Sequence, residues 1–184
     1  MKIEVDASQM ARVANLFAAA GQKKQLALVR AVNHTGAKAL TQVRRALVKQ
    51  TGLKRKTIVK AVKATKAFNG SDYVIKTSGG NIRLKHFGAR ETRRGVSAAP
   101  WGKRRVFPGT FIKGGRFPGR RDLAMGKQVF IRDGQARAPI SVQRSGLHIA
   151  DELVTGNAEA MFYRTVETEL PKRLSHELYR ILGV

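Results

Sequence analysis

The chain has 184 residues, 36 Lys and Arg against 12 Asp and Glu, a formal net charge of +24 and no cysteine. That length supports one domain with a sizeable core, and the absence of cysteine excludes disulfide staples, thiol catalysis and cysteine metal sites. The charge calls for a polyanion or an acidic protein surface as neighbour. It is unevenly spread, with a net of +13 over Met1–Ile82, +12 over Arg83–Arg137 and −1 over Ala138–Val184. Such a chain can bind unlike partners on two sides, or its own copies head to tail.

The opening MKIEVDASQM alternates charged and apolar residues, which predicts a strand over Lys2–Asp6 and not a signal peptide. No apolar run in the chain approaches the ~20 residues of a membrane span. Asp6 and Ser8 are N-cap residues for a helix through Met10, Val13, Leu16 and Phe17 that closes at Gly21. From Gln22 to Gln50 the apolar Leu26, Val29, Leu40, Val43 and Leu47 share one face of a long helix, interrupted by Asn33 and Gly36. Arg30, His34, Lys38, Arg45 and Lys49 form a second, basic stripe, either a solvated face or a contact surface. Thr51 and Gly52 end this helix, and Lys54–Lys63 reads as a short basic helix with Ile58, Val59 and Val62.

After a turn at Asn69, Gly70 and Ser71, the runs Asp72–Thr77 and Asn81–Phe87 flank Ser78, Gly79 and Gly80, a hairpin pattern. Gln128–Arg132 and Ala138–Val142 around Asp133 and Gly134 give a second hairpin. Asn157–Leu182 returns to helical spacing, and Pro171 predicts a break into two segments. The expected fold class is α+β in a single domain, residues 1–184. It has a basic helical part over 1–66, an antiparallel sheet over 72–142 from which an arm projects over 88–127, and a C-terminal helix over 157–184.

Between Arg90 and Arg121 the chain strings arginines along Gly and Pro without apolar periodicity. Such a segment has little with which to bury itself, and its composition suits ordering on assembly. A nucleotide loop is excluded by spacing: a Walker A motif ending at Gly126 and Lys127 needs a glycine where Arg121 stands, and Gly114, Gly115 and Gly119 miss the dinucleotide fingerprint. His34, His86, His148 and His176 are scattered, and the middle region offers no close carboxylate pair that would hold a divalent ion. The expectation is no enzyme, no metal and no cofactor. What remains is Trp101 and Phe107, Phe111 and Phe117 interleaved with Arg93, Arg94, Lys103, Arg104, Arg105, Lys113, Arg116, Arg120 and Arg121. Arginine clamps phosphate and aromatics stack on bases, which fits single-stranded nucleic acid. The same residues enrich protein interfaces, where Trp101 would anchor a neighbouring subunit.

RRGVSAAPWGKRRVFPGTFI and, after a gap, QVFIRDGQARAPI, together with a basic helix and GLKRKTIVKAV, resemble the minor tail protein Z family of long-tailed bacteriophages and prophages, the tail completion proteins. The likeness covers nearly the whole chain. It implies a virion structural protein, assembled in the host cytoplasm, that completes the head-proximal end of the tail for joining to the head. The implied partners are identical subunits in a ring, tail terminator and tail tube proteins, head-completion proteins and the DNA passing through the channel. Val96–Ile112 would then fix neighbours or line the channel. The alternative is a stand-alone basic nucleic-acid-binding protein. After Pro139 and Ile140, the stretch SVQRSGLHIADELV departs from the Gly-Pro turn expected of the family, and no catalytic residue carries over.

Overall fold

A computed structural model describes residues 14–16, 18–19, 21–68 and 71–183. The strand expected at Lys2–Asp6, its caps Asp6 and Ser8 and the turn residues Asn69 and Gly70 lie outside them; of the first expected helix, residues 14–16 and 18–19 are described, and they are helical. The elements are helices, antiparallel sheets and short 3-10 turns, an α+β fold. They form two compact units. One is drawn from the described residues of Met1–Val43, Ala64–Lys76 and Ala160–Val184, the other from Arg44–Lys63 and Thr77–Glu159.

Helix α1 (Lys24–Thr51) forms where the sequence predicts it. Its buried stripe is built of small residues: Ala27, Ala31, Thr35, Ala39 and Val43 recur at a spacing of four, the period of one helix face. Leu26, expected on the core face, is 47% exposed. Small side chains let neighbours approach closely. Ala27 packs with Leu178, Leu174 and Ile181 of the C-terminal helix, and the Tyr73 ring lies against Gly36 so closely that a Cβ there would sit 2.4 Å from it. Asn33 exchanges two hydrogen bonds with the backbone of Ala67, accepting from its N–H at 2.8 Å and donating to its carbonyl at 2.9 Å. The polar interruption of the apolar stripe is therefore a backbone clamp. Arg30, His34, Lys38, Arg45 and Lys49 all keep solvent exposure, as the second stripe requires. Lys38 pairs with Glu169 at 2.6 Å, and that bond draws the Glu169 carboxyl below its ordinary value.

The end of α1 belongs to the second unit. Thr51 donates its hydroxyl to the Leu47 carbonyl at 2.6 Å, and Gly52, at φ +74°, closes the helix with its N–H on Val48. The predicted helix over Lys54–Lys63 is shorter: α2 (Arg55–Ala61) gives way at Val62 to strand β1 (Val62–Thr65), whose β-branched Val62 and Thr65 favour extension. The hairpin expected from Asp72–Thr77 and Asn81–Phe87 does not form. β2 (Val74–Thr77) pairs with β1, which precedes it, and Leu84–Phe87 is a 3-10 turn that buries Leu84 and Phe87 at its period of three.

The Arg-rich segment is folded. β3 (Arg90–Thr92), β4 (Gly95–Ala98) and β5 (Arg105–Pro108) make a three-stranded antiparallel sheet with β4 central and buried along its length. The expectation that this stretch lacks the means to bury itself is thus corrected. Val96, Ser97 and Ala98 supply what the surrounding arginines do not. β6 (Thr110–Phe111) pairs with β9 (Phe130–Arg132), which also takes β10 (Ile140–Val142), so the second predicted hairpin forms, and β7 (Lys113–Gly114) pairs with β8 (Arg121–Asp122). Leu47, Leu53, Ile58, Val62, Leu84, Val96, Val129, Leu147 and Ile149 are the large, almost fully buried residues of this unit. Each contributes about 1.5–3 kcal/mol by leaving water.

α3 (Ile149–Leu153) leads into α4 (Gly156–Leu182). α4 runs through Pro171 in one piece, against the two segments expected. Pro171 and Glu167, whose carbonyl loses its amide partner, are both exposed, which leaves that carbonyl's residue on the solvent side of the helix. Within α4 the carboxylate of Glu177, 1% exposed, is neutralised by Arg173 at 2.6 Å and Arg180 at 3.3 Å. Among the described residues no helix is long and apolar enough to cross a membrane, and no group of three or more His, Asp and Glu is placed to hold a metal ion.

Candidate interaction surface

Glu91 organises the basic region. From β3 its Oε1 accepts the backbone N–H groups of Ile112 and Lys113 and the Arg120 guanidinium, each at 2.9 Å. Both side chains are largely buried, at 13% exposure for Glu91 and 17% for Arg120. Burial would raise the Glu91 carboxyl, but the two amides and Arg120 outweigh it and hold the group below its usual range. One carboxylate therefore fixes the start of β7 and aims an arginine.

The tight turn at Arg93 and Arg94 joins β3 to β4, braced by the Thr92 hydroxyl on the Gly95 carbonyl at 2.7 Å. Thr110 ties this turn region to the next strands: its hydroxyl accepts from Val96 N–H at 3.0 Å and donates to the Phe107 carbonyl at 2.7 Å. A cavity of about 220 Å³ opens here, lined by Arg93, Arg94, Lys113, Arg120, Arg132 and Phe111 with the backbone of Gly114 and Gly115. No carboxylate stands among its described lining residues. Arg132, which the sequence does not single out, lies 5.4 Å from the Phe111 ring centroid and donates to the Ala136 and Arg137 carbonyls.

A second group surrounds Trp101. Pro100–Gly102 is a 3-10 turn with Trp101 at φ +53° and Gly102 at +71°. The end of α1 lies against it, for a Cβ on Gly52 would meet the Gly102 nitrogen at 2.6 Å. The Trp101 indole N–H donates to Glu152 Oε1 at 2.6 Å, and Gln50 donates to the other carboxylate oxygen at 2.6 Å. Trp101 is still 39% exposed. Arg105 stacks beside it, 5.9 Å from the Trp101 centroid and 4.8 Å from that of the half-buried Phe107, giving a ledge of two aromatics and a guanidinium of which Trp101 and Arg105 are exposed. Arg104, still exposed, hydrogen-bonds the Gly88 and Ser97 carbonyls and the Ser97 hydroxyl at 3.2–3.4 Å.

The sequence-predicted residues thus separate. Arg93, Arg94, Phe111, Lys113 and Arg120 gather at the cavity, Trp101, Arg105 and Phe107 form the ledge, and Lys103, Arg116 and Arg121 are exposed. Glu91, Arg132, Gln50 and Glu152 were not anticipated. Glu91 carries a signal, being the one acid between Arg83 and Arg121; Gln50 and Glu152, 102 residues apart, carry none. His86, beside a larger opening of about 720 Å³, is held below its ordinary value by burial, Lys85 and Arg83.

No curated protein and no solved structure matches the chain. The family model described as prophage minor tail protein Z (GPZ) matches residues 13–184, which takes in both the cavity and the ledge. With nearly its whole length covered, the chain belongs to the prophage minor tail protein Z family.

Proposed function

We propose that this phage minor tail protein, a structural component of the virion, acts at the head-proximal end of the tail, completing it and making it competent to join the head. It does so as a ring of identical subunits, assembled in the host cytoplasm, that also contacts tail terminator, tail tube and head-completion proteins. The observation that carries this reading is the Trp101–Arg105–Phe107 ledge. Trp and Arg are the residues that dominate interface energetics when rigidly presented, and here Glu152 and Gln50 hold the indole while Trp101 stays exposed. The basic body and near-neutral C-terminal quarter add charge steering between unlike neighbours.

Purified protein added to tails made without it is expected to restore joining to heads, scored as infectious particles. Trp101→Ala should cut that restoration at least about tenfold, the effect of losing a buried interface anchor. Because Trp101→Ala also removes the bond to Glu152, Arg105→Glu serves as the second variant, since its side chain stacks on the two rings of the ledge. Full restoration by both folded variants would refute the ledge as the contact.

A further inference from the structure

We infer that the cavity bounded by Arg93, Arg94, Lys113, Arg120 and Arg132 is a binding site for a phosphate group. Five cationic residues line about 220 Å³ with no lining carboxylate among the described residues. Like charges brought together in a folded protein repel unless an anion enters, and a phosphate of four oxygens matches several guanidinium forks at once. Two of the arginines are held in place before any ligand arrives. Arg120 is gripped by Glu91 through one Nη and packs 5.9 Å from the Phe117 centroid, leaving its buried Nε without a partner in the protein. Arg132 is braced by two hairpin carbonyls and the Phe111 ring. Glu91 offsets Arg120 alone, so the site keeps a strong positive excess. Gly114 and Gly115 line the wall without side chains, which lets an oxyanion approach the backbone.

This inference rests on the cavity's chemistry and stands apart from the tail-joining role. A phosphate could arrive free or as the backbone of a nucleic acid, and both sources carry the chemistry the site selects. The test is a titration of the full chain with inorganic phosphate and, separately, with a short DNA duplex across a range of salt. Three proteins are compared: wild type, Arg93→Gln/Arg94→Gln, and Arg30→Gln/Arg45→Gln, which removes equal charge from the basic stripe of α1. Arg93 and Arg94 lie in a surface turn, so their replacement should leave the fold intact, as a thermal melt would verify.

The cavity variant is expected to lose at least about tenfold in affinity for the phosphate source that binds. If that source is duplex, its salt slope should fall by roughly 0.9 for each phosphate that the variant no longer neutralises. The α1 variant should change less than about twofold. Binding of inorganic phosphate alone would assign a small phosphate as ligand; duplex binding with the altered slope would assign a nucleic-acid backbone. Equal losses in both variants would show only diffuse attraction and overturn the site. So would unchanged phosphate and duplex binding in the cavity variant, even if that variant fails to enter tails.

Discussion

Gly95→Ala is expected to abolish stable folding of the unit built from Arg44–Lys63 and Thr77–Glu159, with a loss of roughly 4 kcal/mol or more. Two independent faults coincide. The residue sits at φ +148°, a conformation closed to residues with a Cβ. An added Cβ would also lie 2.1 Å from the Phe107 carbonyl oxygen, which is backbone and pinned by the β4–β5 ladder and the Thr110 hydroxyl. Relief would require β5 to move away from Val96 and Ala98, both 0% exposed. Urea unfolding followed by tryptophan fluorescence reports this directly, since Trp101 lies in the same unit. A variant with the wild-type midpoint would show that the strand pairing is wrong.

Glu91→Ala is expected to cost about 3 kcal/mol, the range for removing one partner of a buried ion pair, because Arg120 and two backbone amides lose their common acceptor. Glu91→Gln, which keeps an acceptor oxygen and loses the charge, should cost less. The folded carboxyl titrates below its unfolded value, so the stabilisation is complete above the unfolded pKa of about 4.3 and is lost as pH falls through the lower folded value. The stability of the wild type should therefore fall in that acid window, and Glu91→Gln should flatten the fall. Identical acid limbs for the two proteins would deny the carboxylate its role. A fall near neutral pH has a separate source in His86, whose lowered value makes the folded state favour the neutral ring, a contribution complete above about pH 6.5 and lost as pH falls below it.

Where periodicity was long, the sequence disclosed the fold. α1 spans 28 residues, enough for its two stripes to separate; Val43 and Leu47 of the expected face are buried, while Leu26 at its start is exposed because the alanines there do the close packing. α4 was equally legible except at Pro171, where exposure on both sides of the missing bond lets the helix continue. Short elements failed for a different reason. Ser78, Gly79 and Gly80 look like a hairpin turn, but β2 finds its partner in β1, which precedes it, so no strand pairs across those three residues. Leu84 and Phe87 fall on opposite faces of the expected strand; their spacing of three suits one side of a 3-10 turn. At the candidate site the cations were visible as composition, and their grouping was not. The lone acid Glu91 could have indicated an internal counter-ion, whereas Arg132 reaches the cavity only because β9 pairs with β6.

The role at the top of the tail is tested most directly by electron microscopy of tails carrying a gold-labelled copy of the protein. The head-proximal reading predicts label confined to the end that meets the head, in both free tails and joined particles. Label spread along the tube or gathered at the opposite tip would contradict it.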